Sequence, residues 1–359
     1  MPESGDRARP QGARRARRER PCGLRQDRRA GKSSTLELTE LEQVFLHQAD
    51  QCERTGSPLY AELCRRLATE PAAREIFDDA RWDRPLQLLG GLHYLALSEG
   101  LDPWTDPVAV LEQRRDWLRR FVQTQGVQTN EVQRSWLLLP CFLEVTRRAG
   151  VETLDLIELG PSAGLNLVWD RYRYRYQFGR WGNDEAALEL SGEERRPVPL
   201  ELLRIVPSVR RRRGIDLSPL DVTRPGDTLL LKSFVWADQH ERLQRLDRAV
   251  ATLRAQPPEL EQGDIVERVP QLLAERLPGA LTVVFQTAVR SYLGQERWKE
   301  LLTVLDDAGR RFPLALVSVS RPAPGEDRYW GLWVRLWPGG EKHLLAHAGF
   351  HGQWLEWLA

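Results

Sequence analysis

Hydrophobic and polar positions divide the chain into two parts with different periods. Over residues 39–150, apolar side chains recur at the three- and four-residue intervals of amphipathic helices. Thr39 and Glu42 have the spacing of a helix capping box, and Gly150 has the residue type that ends helices. The pattern therefore predicts an all-helical N-terminal domain over residues 36–150.

After residue 150, short apolar runs of strand length alternate with amphipathic helical stretches. Such runs are typical of buried parallel strands, so residues 151–359 are predicted to form a Rossmann-like α/β domain with a mostly parallel sheet. Two alternating segments around residues 338–341 predict a C-terminal antiparallel hairpin. The predicted sheet strands are residues 154–159, 228–235, 281–285 and 314–319.

The first 35 residues hold ten Arg and one Lys against four acidic residues, with almost no large apolar side chains. This composition predicts a disordered, Arg-rich tail. We favour an unstructured extension over an RNA- or DNA-binding arm. Since the whole chain has a net charge of only +1, the rest is mildly acidic, and nucleic-acid binding is not expected outside the tail.

The chain is 41% hydrophobic and 29% charged, as in globular proteins. Its apolar runs are too short for a membrane helix, and its N-terminus lacks the apolar core of a secretory signal, so a cytoplasmic location is expected. No metal site is expected either. The four cysteines form no CxxC pair, and His343, His347 and His351 recur in a strand context without a completing ligand.

Residues 154–178, LDLIELGPSAGLNLVWDRYRYRYQF, contain the main candidate site. A strand, an acid at its end (Glu158), a turn bounded by Gly160 and Gly164, and a helix follow in the order that a nucleotide-type cofactor requires. The spacing up to Asn166 resembles the first motif of class I S-adenosylmethionine-dependent methyltransferases, whose loop wraps the methionine end of the cofactor. The resemblance implies that this loop, including Ser162, binds S-adenosylmethionine.

Acids at the ends of the next two strands would complete such a cofactor site. Asp216 comes about 50 residues after the turn, which requires an insertion around residues 170–210. Asp264 precedes a helical stretch and could equally cap that helix. The candidate cofactor-binding residues are Glu158, Gly160, Ser162, Gly164, Asn166, Asp216 and Asp264.

Residues 160–164, GPSAG, also match the G-x-S-x-G nucleophile elbow of serine hydrolases. Asp306 and His351 would follow Ser162 in the hydrolase order. However, the hydrolase elbow comes after several strands, whereas everything before residue 154 has a helical pattern. An α/β-hydrolase-type serine esterase is therefore the second hypothesis.

The alternation of Tyr and Arg over residues 171–178 predicts an inserted strand with one aromatic and one cationic face. We favour a half-buried hairpin with an Arg-rich solvent face, because strand propensity already accounts for the tyrosines. Stacked aromatic and guanidinium groups could also bind a planar anionic ligand. A non-catalytic protein that binds a ligand or partner through this hairpin is therefore the third hypothesis.

Five stretches resemble the bacterial family named domain of unknown function 2332, which is common in actinobacteria: GSPLYAEL (56–63), VQTNEVQRSWLLLP (127–140), IELGPSAGLNLVWDRYRY (157–174), RGIDLSPLD (213–221) and HGQWLEW (351–357). The resemblance implies no established activity. Polar residues of the second stretch, folded over the sheet edge, could orient a substrate, although Thr129 or Asn130 could instead cap a helix. The candidate substrate-binding residues are Gln128, Asn130, Glu131, Trp169, Asp170, Arg171, Tyr172 and His351.

The preferred hypothesis is a Rossmann-like methyltransferase-type domain, with the helical domain covering its ligand edge and an unknown substrate. Methyl transfer depends mainly on holding the acceptor in line with the methyl group, so few catalytic side chains are expected.

Overall fold

The computed structural model describes residues 38–128, 131–322, 325, 326 and 328–359. The predicted tail and the candidate Asn130 lie outside the described residues. Thr39–Ala359 forms one compact unit. None of the described helices is long and apolar enough to cross a membrane.

Helices account for every regular element that the structure describes before residue 150, as predicted. The capping box is confirmed, because the Glu42 N–H donates to Thr39 Oγ1 at 3.3 Å and the Thr39 N–H donates to Glu42 Oε2 at 2.6 Å. Gly150 ends the last helix with a left-handed φ of 64°. The helices are α1 (Glu40–Arg54), α2 (Pro58–Ala68), α3 (Pro71–Arg74), α4 (Arg84–Glu99), α5 (Pro107–Gln113), α6 (Arg115–Thr124) and α7 (Arg134–Ala149).

The remainder of the chain has a mixed α/β structure with strands in two sheets. Three predicted strands, those beginning at Leu154, Leu281 and Leu314, are confirmed within a residue or two at each end. The strands are β1 (Thr153–Leu159), β2 (Arg173–Arg175), β3 (Arg180–Trp181), β4 (Glu189–Ser191), β5 (Glu193–Arg196), β6 (Ser208–Asp216), β7 (Glu259–Gln262), β8 (Leu281–Thr287), β9 (Leu314–Ser320), β10 (Trp330–Trp337), β11 (Glu341–Ala348) and β12 (Trp354–Trp357).

Nine of the described strands form a large, mostly parallel sheet in the order β5-β12-β11-β10-β9-β8-β1-β6-β7. β7, β6, β1, β8 and β9 run parallel, so their carboxyl ends meet at one edge. β10 and β11 pair antiparallel, which confirms the predicted hairpin. The accompanying helices are a 3-10 helix (Leu165–Arg171), α8 (Leu200–Leu203), α9 (Pro225–Ser233), α10 (His240–Ala255), α11 (Ile265–Ala274), α12 (Val289–Leu293) and α13 (Gln295–Gly309).

The segment between β1 and β6 contains the small sheet, with order β3-β2-β4. It includes the hairpin that the Tyr/Arg alternation predicts, formed by β2 and β3. Tyr172, Tyr174 and Tyr176 are buried in the core, and their hydroxyls donate to backbone carbonyls. Phe178, expected on the same face, is 52% exposed because it lies in the turn. The aromatic face of the hairpin is therefore structural.

The strand predicted at residues 228–235 is wrong. Most of it belongs to α9, which starts with Pro225 at a position where proline suits a helix. A short apolar run does not distinguish a strand from a buried helix. The strand beside β1 on the side away from β8 is instead β6, whose Arg-rich sequence SVRRRRGID does not have the apolar pattern of a buried strand.

Helices cover both faces of the sheet. α7 packs against β8, β9 and β10 on one face, together with the 3-10 helix and α10, whereas α11 and α13 cover the other face. α1 to α6 pack around a separate core that also includes Trp236. This arrangement places the N-terminal end of α7 at the carboxyl edge of β1 and β8.

Candidate functional site

Gln128 and residues 131–135 lie over the carboxyl edge of the parallel strands. Ser135 Oγ donates to Asn166 Oδ1 at 2.7 Å, beyond the end of β1. Arg134 Nη1 donates to Thr287 Oγ1 at 3.4 Å, at the end of β8. The start of α7 is thus tied to the two loops where a doubly wound sheet would bind its ligand.

The glycine turn has a left-handed backbone at Gly160 (φ 67°), Ser162 (φ 54°) and Gly164 (φ 83°). A Cβ atom on Gly164 would lie 2.8 Å from Pro258 Cγ, and a Cβ atom on Gly160 would overlap Val289. Backbone conformation and packing therefore both require these glycines. The side of each glycine on which a Cβ atom would lie contacts a protein side chain, Val289 at Gly160 and Pro258 at Gly164.

Ser162 and Asp216 connect the turn to its neighbours. Ser162 Oγ donates to Gln128 Oε1 at 2.7 Å. The Asp216 carboxylate accepts the N–H groups of Ser162 and Ser218, at 2.8 and 2.9 Å. The predicted acid of the second strand thus lies beside the glycine turn, where it holds two loops together.

Asp264 follows β7, but its carboxylate caps α11. It accepts the N–H groups of Val266 at 2.9 Å and Glu267 at 3.3 Å and pairs with Arg297. The structure thus shows the helix-cap alternative for this residue.

Glu158 is a buried carboxyl at the end of β1, and its Oε2 atom has no hydrogen-bond partner among the described residues. Burial, followed by the charge of Asp216, raises its pKa to about 8. On the other side, Arg134 has a buried Nε atom without a partner in the described part of the chain, and burial lowers its pKa to about 10. The Glu158 carboxyl and the Arg134 guanidinium therefore each have an unsatisfied buried atom, and each influences the pKa of the other.

Glu131 is the centre of a second group of charges. Its buried carboxylate lies 3.0 Å from Arg242 Nε, 3.8 Å from Arg245 Nη1 and 3.2 Å from His351 Nδ1. Burial alone would raise the pKa of Glu131, but Arg242 and then His351 outweigh it and lower the pKa to about 2. Glu131 is therefore ionised at neutral pH.

His351 is oriented by this carboxylate. Its Nδ1 atom is within hydrogen-bond reach of Glu131 Oε2, so Nδ1 carries the proton of the neutral ring and Nε2 has a free lone pair. Burial and the nearby Arg242 and Arg134 lower the pKa of His351, although Glu131 opposes this shift. A neutral imidazole held by a carboxylate is suited to accept a proton.

A cavity of about 810 Å³ opens beside these two residues. We call it the Glu131 cavity; Gly56, Arg54 and Asp238 also line it. Ser57 Oγ donates to Asp238 Oδ1 at 2.7 Å, which anchors the start of α2 at its rim. Three of the quoted stretches, those with Gly56, Glu131 and His351, thus meet at one cavity although they are far apart in sequence.

The other substrate-binding candidates have structural contacts. Trp169 and Tyr172 are fully buried in the core. Asp170 pairs with Arg212, and Arg171 donates to the backbone and side-chain oxygens of Gln256, both at 2.6 Å. None of these contacts involves the Glu131 cavity.

The triad of the esterase hypothesis is not assembled. Ser162 bonds to Gln128, and Asp306 accepts Trp337 Nε1 at 2.9 Å. His351 pairs with Glu131 instead of Asp306. Sequence order alone suggested this triad, and the fold separates its acid from its histidine.

Three arginines of the site were missed by sequence reasoning. Arg134 stands inside the quoted stretch 127–140, so its position there was an available signal. Arg242 and Arg245 share one face of α10 at i, i+3 spacing, but an Arg pair on a helix is usually solvent-exposed. Within the described ranges, no group of three or more His, Cys, Asp or Glu side chains could hold a metal ion.

Comparison with known proteins gives a family match over nearly the whole chain. The model described as "Uncharacterized protein conserved in bacteria (DUF2332)" matches residues 42–357. No curated protein and no solved structure matches the chain.

Proposed function

We propose that this chain, which belongs to the DUF2332 family of proteins conserved in bacteria, is a Rossmann-like methyltransferase-type enzyme. In this proposal, Glu158 and Arg134 hold the amino-acid end of S-adenosylmethionine, and the acceptor substrate binds in the Glu131 cavity.

The order of the parallel strands supports the proposal. Along the sheet, β7, β6, β1, β8 and β9 are the third, second, first, fourth and fifth parallel strands of the chain. This 3-2-1-4-5 order is that of doubly wound sheets, which bind ligands where the order reverses. The reversal lies between β1 and β8, where Glu158 and Thr287 end their strands.

The observation that carries the proposal is the pair of unsatisfied groups at this point. A methionine-type end has an ammonium and a carboxylate, which complement Glu158 Oε2 and Arg134 Nε respectively. A carboxylate has about four lone-pair sites, so Asp216 could also accept ribose hydroxyls beyond its two backbone donors. When bound, the cofactor supplies an electrophilic methyl group.

The Glu131 cavity provides the acceptor side. Glu131 and Gln133 line the cavity, and the next residue, Arg134, interacts electrostatically with both Glu158 and Glu131, which supports a cavity close to the proposed cofactor groups. His351 Nε2 can take a proton from an acceptor hydroxyl or amine, while Glu131 fixes the orientation of the ring. Arg54, Arg242 and Arg245 share the lining with Glu131, Asp238 and Glu241, so the cavity offers both cationic and anionic groups to a polar acceptor.

Isothermal titration with S-adenosylmethionine and S-adenosylhomocysteine, in two buffers of different ionisation heat, tests the proposal. An ammonium beside Glu158 stabilises its carboxylate, so binding at pH 7 should release up to one proton. Glu158→Gln should abolish the proton release and weaken binding about 10-fold, as expected for one charged hydrogen bond. Glu112→Gln, which changes an exposed residue, is the control. No heat with either compound, for a folded sample, would contradict cofactor binding.

The contacts of Val289 and Pro258 with the glycine faces favour a second function, a binding protein that uses the Glu131 cavity without a cofactor. In that case the titrations show no heat, while a small carboxylic acid binds and its affinity falls in Arg242→Gln. Binding of S-adenosylmethionine would contradict this second function.

A further inference from the structure

A second cavity, of about 340 Å³, lies on the face of the sheet that α13 covers, opposite α7. β9, β10 and β11 form its floor, and α12 and the start of α13 form its wall. The register of the three strands brings Leu316, Arg335 and Lys342 side by side in this floor, because Leu316 pairs with Arg335 and Arg335 pairs with Lys342. We call it the Lys342 cavity.

The charged residues that line the Lys342 cavity all have a positive charge. Four of its lining residues are cationic, namely Arg290, Lys299, Arg335 and Lys342, and none is acidic. The chain as a whole has 51 acidic residues against 52 basic ones, so a lining with four basic residues and no acidic one differs from the average composition. An excess of positive charge in the lining favours the binding of an anion.

Two of the four cations have no carboxylate partner. Lys299 pairs with Glu296 at 2.7 Å, and Arg335 lies 3.5 Å from Asp306. For Arg290 and Lys342, no carboxylate within the described chain lies at ion-pair distance; Lys342 Nζ lies 3.6 Å from the centre of the Trp333 ring. Partial burial of its otherwise exposed side chain, and then the charges of Arg290 and Arg335, lower the pKa of Lys342. An anion among these groups would offset that repulsion.

The remaining lining residues limit the size and nature of the anion. Ser318 and Ser320 provide hydroxyl donors on the same face of β9, whereas Leu316, Leu302 and Trp298 provide apolar surface. A phosphate group offers up to two negative charges and three acceptor oxygens, which match several cations and hydroxyls at once. The apolar part calls for more than a free ion.

We propose that the Lys342 cavity binds a small phosphorylated molecule, with its phosphate among Arg290, Arg335 and Lys342 and its apolar part against Leu316. This site shares no lining residue with the Glu131 cavity and does not depend on the function proposed there.

Titration calorimetry of the full chain with phenyl phosphate, inorganic phosphate and benzyl alcohol tests the proposal. Phenyl phosphate should bind in a saturable 1:1 manner, inorganic phosphate at least about 10-fold more weakly, and benzyl alcohol without detectable heat. Lys342→Gln and Arg290→Gln should each weaken phenyl phosphate binding about 10-fold, which is typical for loss of one charge-assisted contact. Arg310→Gln, which removes an exposed cation outside the cavity, should change nothing.

Circular dichroism melting of each variant confirms that it is folded. Absence of saturable phenyl phosphate binding to the folded wild-type chain overturns the proposal, and so does equal weakening by Arg310→Gln. A short single-stranded oligonucleotide is the last arm. If it binds through Lys342 while phenyl phosphate does not, the cavity serves a nucleic-acid backbone and the proposed ligand class is wrong.

Discussion

At the scale of single residues, Glu158 is a buried acid that the fold keeps protonated. Its pKa of about 8 lies above the ordinary value of 4.5. The stability that the protonated carboxyl provides is therefore fully present below pH 4.5, and the free energy of unfolding falls as the pH rises through 8. Glu158→Gln cannot ionise. We therefore expect the variant to gain about 4 kcal/mol over the wild type between pH 5 and pH 9, at about 1.36 kcal/mol per pH unit up to the pKa of Glu158. Urea unfolding at both pH values measures this, and a difference that does not change with pH would contradict it.

The pKa of Glu131 is shifted in the opposite direction to that of Glu158. Its pKa of about 2 lies below the ordinary value of 4.5, so its stabilising charge is present above pH 4.5 and is lost as the pH falls through 2. Glu131→Gln removes the buried negative charge that pairs with Arg242 and Arg245. We expect a loss of about 2–4 kcal/mol at pH 7 that becomes smaller toward pH 3. Chemical unfolding at the two pH values is the measurement, with exposed Glu112→Gln as the control; an equal loss at both would refute the charge argument.

At the scale of elements, a comparison of the glycine turn with another left-handed glycine distinguishes the cost of backbone strain from the cost of packing. Gly164 and Gly279 both have a left-handed φ, 83° and 78°, but only Gly164 has a neighbour within 4 Å of an added Cβ. Gly279→Ala should cost about 1 kcal/mol for the conformation alone. Gly164→Ala should cost roughly 1–3 kcal/mol more, because Pro258 must move. Equal melting temperatures for the two variants would show that the contact is unimportant.

The strands that were predictable from sequence are those in which the polarity of the residues matches their burial. β1, β8 and β9 are buried on both faces, so apolar residues predominate on both faces of each strand. β6 could not be found this way, since Arg211 and Arg213 are paired with buried Asp155 on β1. These arginines neutralise Asp155, a partner that can be identified only after the two strands are known to be adjacent.

The candidate site shows the same limit. Glu158, Asp216 and the glycine turn were predictable because they follow strands in a regular order. The contact of Glu131 with His351 was not, because 220 residues separate the two. Both residues stood in distinctive stretches, but only the fold of α7 and of the C-terminal loop brings them together.

At the scale of the whole molecule, the helical and sheet portions share contacts that should make them unfold together. α7 packs on the sheet, and Trp236, just after α9, lies in the core of α1 to α6, stacked on Tyr60 with ring centres 4.5 Å apart. We therefore expect one calorimetric transition for the full chain, with equal calorimetric and van't Hoff enthalpies. A fragment of residues 151–359 should fail to fold, because the sheet face under α7 would be exposed to water.

Trp236→Ala tests this coupling from inside the chain. Removing a buried indole should destabilise the core of α1 to α6 by about 3–5 kcal/mol. Because α4 packs against α9, and Trp236 lies just after α9, that core is connected to the sheet portion, so the single transition should move to lower temperature as a whole. Trp82→Ala, at a tryptophan that is 59% exposed, should move it by much less. If Trp236→Ala split the transition in two, or the fragment of residues 151–359 melted cooperatively, the two portions would be independent domains, and the Glu131 cavity would lie at a joint between them.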